Sequence, residues 1–145
     1  VLSRIRDFFV KISKKDSFFE ERFFRLLFVG SRRTILHRAL SSRWREEVVG
    51  EIMKLVTEFN VEKQFVFLTV KNSWNLASDG ITALRYAIEN KNKAAVKLIA
   101  ECVSNFASDV QSKFTECEKD SLQLVLKQND DEMTIALDFL LKNYV

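Results

Sequence analysis

Asp79-Gly80-Ile81-Thr82-Ala83-Leu84-Arg85-Tyr86-Ala87-Ile88, continued by Glu89-Asn90-Lys91-Asn92-Lys93-Ala94-Ala95-Val96-Lys97-Leu98-Ile99, is the stretch from which the fold can be read. Thr82 can cap a helix by accepting a backbone N–H of its first turn, which predicts a helix from Ile81 to Asn90. Leu84 supplies a core anchor, and the small Ala87 permits close packing against a neighbouring element. The polar turn Lys91-Asn92-Lys93 leads at once into a second apolar run from Ala94 to Val103. A connection that short makes the two helices antiparallel neighbours.

The same grammar extends upstream. Thr34-Ile35-Leu36-His37-Arg38-Ala39-Leu40 predicts a short helix, and Val48, Val49, Ile52, Met53 and Val56 form the apolar stripe of a longer one from Arg45 to Thr57. Leu2, Ile5, Phe8, Phe9 and Ile12 recur at helical steps, with Arg4, Arg6, Lys11 and Lys14 mostly opposite. Ser17 and Glu20 are spaced as a capping box for a helix through Phe19, Phe23, Leu26 and Leu27 that should stop near Gly30. Residues 1–30 thus read as a helical hairpin. Phe65-Val66-Phe67-Leu68-Thr69-Val70 has strand propensity, yet no other segment offers it a partner, so a helix is preferred. Asn72 to Gly80 reads as a turn.

Downstream, Phe106, Val110 and Phe114 suit one face of a helix ending near Cys117. Leu122, Val125 and Leu126 belong to a short helix, and Ile135, Leu137, Phe139, Leu140 and Leu141 to another. Asn129-Asp130-Asp131-Glu132 separates them, placing acids at the positive helix start.

Composition agrees with a helical chain. The 145 residues are 30% charged and 47% hydrophobic, outside the disordered range and enough for one domain with its own core. Proline is absent and the glycines are Gly30, Gly50 and Gly80 alone, so the punctuation of hairpin-rich folds and phosphate loops is missing. Seven of 13 phenylalanines precede residue 30, which requires that end to be buried. No run of about 18 apolar residues is present, which argues against a membrane span. The sequence begins at Val1 rather than methionine, as a piece of a longer protein would.

The helix pair at residues 79–99 resembles an ankyrin repeat. It follows the family's D-G-x-T-P-L-H-x-A opening and E-V-V-x-L-L second helix in unbroken spacing, with Ala83 for the proline and Arg85 for the histidine. Leu36, His37 and Ala39 match the same core upstream, joined to Glu47-Val48-Val49. Asp120-Ser121-Leu122-Gln123-Leu124-Val125-Leu126 starts a weaker third unit without the threonine and the alanine. The ankyrin period is about 33 residues, whereas Thr34 to Thr82 is 48 and Thr82 to Asp120 is 38. Insertions at Phe59–Asn75, with an added helix, and at Phe106–Glu118 would absorb the excess. Where the family's inter-helix turn carries Gly-His, this chain has Arg43-Trp44 and Lys91-Asn92.

The resemblance implies an all-α fold: a short α-solenoid of ankyrin-like helix pairs, at about 31–72, 79–105 and 119–145, behind an N-terminal helical hairpin cap over 1–30, in one compact domain. It also implies a non-catalytic protein-interaction module whose partner is another protein. Arg38, Ser42, Tyr86, Glu89, Asn90, Lys127 and Gln128 of the first helices, with the turn residues Ser78, Asp79 and Ile81, would face the concave side as candidate partner-binding residues. His37, the only histidine, would hydrogen-bond backbone in a turn.

Chemistry beyond that is sparse. A nucleophile–histidine pair would have to use His37, and Cys102 and Cys117 read as small buried hydrophobes with no basic cluster beside them. Two cysteines at that spacing indicate neither a disulfide framework nor a zinc site, which fits a reducing, cytoplasmic setting. Asp130, Asp131 and Glu132 lack the glycine of a calcium loop and read as helix caps, so no metal and no cofactor is expected. Residues 1–45 carry 12 Lys and Arg against 4 Asp and Glu, a charge of +8, and the remainder carries 11 against 16, a charge of −5. Arg22, Arg25, Arg32, Arg33, Arg38, Arg43 and Arg45 make nucleic acid, or an acidic surface, the alternative partner. No recognised nucleic-acid-binding motif accompanies them, and the nearby aromatic residues sit at core spacing, so nucleic acid is disfavoured.

Overall fold

A computed structural model of the chain describes residues 4, 17–30, 33–72 and 80–144. These are mostly helical: α1 (Ser17–Leu26), α2 (Ile35–Ser41), α3 (Glu46–Thr57), α4 (Val61–Thr69), α5 (Ala83–Glu89), α6 (Lys93–Ser104), α7 (Ser108–Cys117), α8 (Lys119–Gln128), α9 (Asp131–Ala136) and α10 (Asp138–Tyr144), with two short strands, β1 (Phe28–Gly30) and β2 (Arg33–Thr34). The expected helix over Leu2–Ile12, the Ser17 side chain of the capping box and residues 73–79 of the turn lie outside the described part.

Local chemistry sets most boundaries. The hydroxyls of Thr34 and Thr82 and the side-chain oxygens of Asn60, Asn92 and Asp130 accept first-turn N–H groups of α2, α5, α4, α6 and α9. Phe65–Val70 falls within α4 and its C-cap, with Gln64, Phe67 and Leu68 buried and Val61 and Val66 exposed, a helical and not an alternating pattern.

Two expectations are corrected. The helix of the N-terminal part ends at Leu26, short of Gly30, and β1 pairs antiparallel with β2 through Phe28↔Thr34 and Gly30↔Arg33. Extension there brings the Phe28 ring edge-on to Phe24 at 5.3 Å and to Phe67 at 6.2 Å. The last apolar segment is two helices rather than one. Leu137, fully buried at φ −105°, ψ 12°, breaks it, and acidic Asp138 opens the next first turn.

Packing follows a period of three helices. From α2 to α7, each helix packs against the one three places later: α2 on α5 and α5 on α8, α3 on α6 and α6 on α9, α4 on α7 and α7 on α10. The stretches in excess of the ankyrin spacing are thus α4 and α7, and they occupy matching places. Leu36, Leu84 and Leu122, then Ala39, Ala87 and Val125, then Ile52, Ile99 and Leu137, are each at most 1% exposed. They lie within one buried apolar cluster running from Phe23 to Leu141.

The turns recur as well. Arg43, Lys91 and Asn129, nine residues after Thr34, Thr82 and Asp120, have φ of 55°, 55° and 56°. In the first two turns the next N–H closes back on the helix, Trp44 to the Ala39 carbonyl at 2.9 Å and Asn92 to that of Ala87 at 2.8 Å. Ahead of α5, Asn72 and Ile81 exchange N–H···O bonds of 2.8 and 2.9 Å, the counterpart of β1–β2 ahead of α2. Gly80 permits this: at φ +80° an added Cβ would meet the Lys71 Cβ at 3.0 Å and the Asn72 carbonyl oxygen at 3.1 Å.

Gly50 is the opposite case. It lies inside α3, where a Cβ would meet nothing within 4 Å. Alanine in a helix interior is favoured over glycine by about 1 kcal/mol, so Gly50→Ala is expected to raise stability by about that amount in urea titration. A loss would mean that the site is tighter than its geometry shows.

Candidate functional site

The exposed side of the row α2–α5–α8 gathers most of the candidate residues. Arg38 lies in the last turn of α2 and Ser42 is its C-cap; Tyr86 and Glu89 are on α5 and Asn90 caps it; Lys127 and Gln128 end α8. Ser78 and Asp79 lie outside the described residues. Ile81 is part-buried in the bridge with Asn72, its carbonyl turned toward His37.

Several of these side chains have work inside the fold. The Asn90 side-chain N–H donates to the Leu40 carbonyl at 3.3 Å, and that of Gln128 to the Ile88 carbonyl at 3.5 Å, so each amide ties its helix to the one before it in the row. Tyr86 packs edge-on to His37 with centroids 5.8 Å apart, and its hydroxyl accepts from the Asn72 amide at 3.3 Å. Glu89 is taken by the Arg85 guanidinium at 3.0 Å. Arg38, Ser42 and Lys127 remain exposed, and Arg38 and Lys127 have no acidic partner among the described residues.

Beneath this surface, polar bridges join one helix start to the next. His37 is fully buried. Its Nδ1 accepts the Thr34 N–H at 3.2 Å and faces the Thr34 hydroxyl at 2.9 Å, which leaves the Nε2–H to donate to the Ile81 carbonyl at 3.0 Å. Both ring nitrogens are thereby occupied. Burial drives its pKa down to about 4, the Ile81 carbonyl partly opposing and Arg33 adding to the fall. At the next junction Arg85, half-exposed, replaces the histidine and reaches Asp120 at 3.8 Å.

Glu118, which nothing in the sequence marked, is 1% exposed. Its Oε2 accepts the Thr82 hydroxyl at 2.8 Å and the Ser121 hydroxyl at 2.6 Å, while Oε1 is buried without a partner. Burial raises its pKa to about 7, against the two hydroxyl bonds and Lys71. A gap of about 10 Å³ lined by Lys71, Thr82, Arg85, Cys117, Glu118 and Asp120, among others, lies there, close to the room one water needs.

The cysteines divide. Cys102 is buried, its thiol donating to the Gln64 side-chain oxygen at 3.3 Å and pushed up to about 11 by burial. Cys117, expected to be buried, is exposed at the end of α7, because the chain turns there from one row of helices to another. Its thiol is raised by partial burial and by Glu118, which disfavours the reactive thiolate. Among the described residues no group of three or more His, Cys, Asp or Glu is placed to hold a metal ion, and no helix is long and apolar enough to cross a membrane.

Along the second row of helices an open groove of about 590 Å³ runs between α3 and α6, lined by Glu46, Glu47, Gly50, Ala94, Lys97 and Leu98. Two of the three second-row helices start with acids, Glu46 and Glu47 on α3 and Asp131 and Glu132 on α9, while α6 starts with Lys93, which reaches Asp130 and Glu132; the cations at the ends of the first-row helices have no acidic partner among the described residues. Comparison of the chain with protein families, with curated proteins and with solved structures finds no match in any of the three.

Proposed function

We propose that the chain is a non-catalytic protein-interaction module, a short α-solenoid of ankyrin-like units that binds another protein on the α2–α5–α8 side. In this reading each unit is a helix pair with an added third helix: α2–α4, α5–α7 and α8–α10. The observation that carries it is the repeated device between first helices. Asn90 and Gln128 stand eight residues after Thr82 and Asp120, and each donates to the carbonyl six residues into the preceding unit, Leu40 or Ile88. The first unit has Ser42 at that place, with no earlier unit to reach. Left-handed turns at Arg43, Lys91 and Asn129 keep the same register.

A solenoid of this kind leaves one row of helices open as a binding face, because each unit buries its other contacts on its neighbours. The engagement of both His37 nitrogens and the raised Cys117 thiol support a binding role over catalysis. From Arg22 onward the described arginines are divided among α1, β2, α2, the turn after α2 and α5, which supports a protein partner over a single nucleic-acid patch.

Photo-crosslinking from the first and the second row of helices tests this. A photoreactive side chain at Ser42 or Lys127 is expected to join one defined protein in cells, and the same group at Lys97 or Lys54, on the α3–α6 side, is expected to give none. Equal yields from both sides, or products from the α3–α6 side alone, would reject the assignment.

A further inference from the structure

The cations that end the first-row helices indicate what kind of segment this face takes. Arg38 and Lys127 occupy last turns, and Arg43 and Lys91 follow α2 and α5; all four are exposed, with no acidic partner among the described residues. Of the described acids at these helix ends, Glu89 is neutralised by Arg85 at 3.0 Å and Asp130, two residues past α8, is reached by Lys93 at 3.7 Å.

Helix dipoles alone account for part of this, since a cation at a C-terminus is favoured. They do not account for the residue types at the left-handed positions. Glycine or asparagine adopts φ near 55° with least strain, and the third turn does use Asn129. Arg43 and Lys91 hold that conformation against the clash of their Cβ with the following carbonyl oxygen. Positive charge is thus placed at matching points of two adjacent turns where a cheaper residue would serve the fold.

We infer that the partner on this face is an acidic, extended peptide segment whose carboxylates are read by Arg38, Arg43, Lys91 and Lys127. This rests on the interaction-module reading above. Packed helices lie about 8–10 Å apart, and an extended chain rises about 3.3 Å per residue, so carboxylates at every third position match the spacing from one helix end to the next. A row of three helices would engage a segment of about six to eight residues. A nucleic-acid duplex would need the cations to continue along a second line of phosphates, whereas the neighbouring helix starts carry Glu46 and Glu47 on α3 and Asp131 and Glu132 on α9, with Lys93 of α6 held by Asp130 and Glu132.

The test uses the full chain and three probes: a peptide of about twelve residues with Glu at every third position, its Gln counterpart, and a single-stranded DNA of similar length, titrated by fluorescence anisotropy at about 50 mM salt. The Glu peptide is expected to bind at least tenfold more tightly than the Gln peptide. Arg38→Glu with Lys91→Glu and Lys127→Glu should remove that difference, whereas Lys97→Glu with Lys113→Glu, on other faces, should leave it. Equal loss in both variants would reduce the effect to net charge and overturn the assignment, as would tighter binding of the DNA. Failure of the peptide alongside a crosslinked neutral or basic protein at Ser42 would overturn the acidic partner while leaving the interaction module standing.

Discussion

Replacing His37 by alanine is expected to lower stability by about 3 kcal/mol at pH 7.5, and the deficit is expected to shrink below about 1 kcal/mol near pH 4. The first figure comes from geometry. Truncation strands the buried Thr34 N–H, worth about 1–3 kcal/mol unpaired, takes one of two donors from the Ile81 carbonyl, which keeps the Asn72 N–H, and leaves a cavity where the ring packed on Tyr86. The second comes from protonation. Nδ1 faces a backbone N–H that can only donate, so an imidazolium would set donor against donor. The folded pKa of about 4 lies below the ordinary 6.5, so the unfolded chain takes the proton first. The stabilisation is whole above pH 6.5 and is lost as the pH falls toward 4, a swing of about 3 kcal/mol. Urea midpoints of both proteins across that interval measure it, and a deficit unchanged with pH would show that the ring is held some other way.

The contrast between His37 and Glu118 shows what could be read in advance. His37 sits inside Thr-Ile-Leu-His-Arg-Ala, a local pattern in which cap, anchor and small residue lie within six positions, so helix start, burial and backbone bonding all follow from near neighbours. The same holds for Thr82, Leu84 and Ala87. Glu118 follows Glu116 and precedes Lys119 and Asp120, surroundings that read as a solvated face. It is buried only because α8 packs on α5 and brings it to a hydroxyl 36 positions away. Asn90 and Gln128 failed to declare themselves for the same reason. A side-chain amide on a helix end looks available for binding, and only stacking reveals the Leu40 and Ile88 carbonyls it serves. α8 starts at Lys119, with Glu118 in the cap position and no side-chain cap bond, so Asp120 does not cap it as Thr34 and Thr82 cap α2 and α5.

Candidate binding residues were harder to judge than the fold because exposure is all that a periodic pattern foretells. Arg38, Ser42 and Lys127 stay open, whereas Tyr86 and Glu89 are spent on His37 and Arg85. In the sequence the turn cations Arg43 and Lys91 stand out only as departures from the glycine of the ankyrin pattern, and their meaning needs the φ values to appear.

Glu118→Gln is expected to stabilise the chain by about 2 kcal/mol at pH 8 and to leave it nearly unchanged at pH 5. The folded pKa of about 7 lies above the ordinary 4.5, so the native state holds the proton to higher pH than the unfolded chain does. Its favourable contribution is complete below pH 4.5 and is lost as the pH rises through 7. The full swing is about 3 kcal/mol. Glutamine stays neutral, and its side-chain oxygen can accept from Thr82 and Ser121 as Oε2 does. What it does not repair is the second atom: the amide N–H₂ takes the place of Oε1, which has no partner, so part of the gain is forfeited to an unpaired donor unless water enters the adjacent gap. Lys71, Arg85, Cys117 and Asp120 line the same gap and are present in both proteins, so their effects largely cancel in the comparison. Urea midpoints at the two pH values decide the matter. An equal gain at both would mean that the carboxyl is disfavoured by packing rather than by its charge, and a loss at pH 8 would mean that the charged form is held by a cation closer than the structure places Lys71.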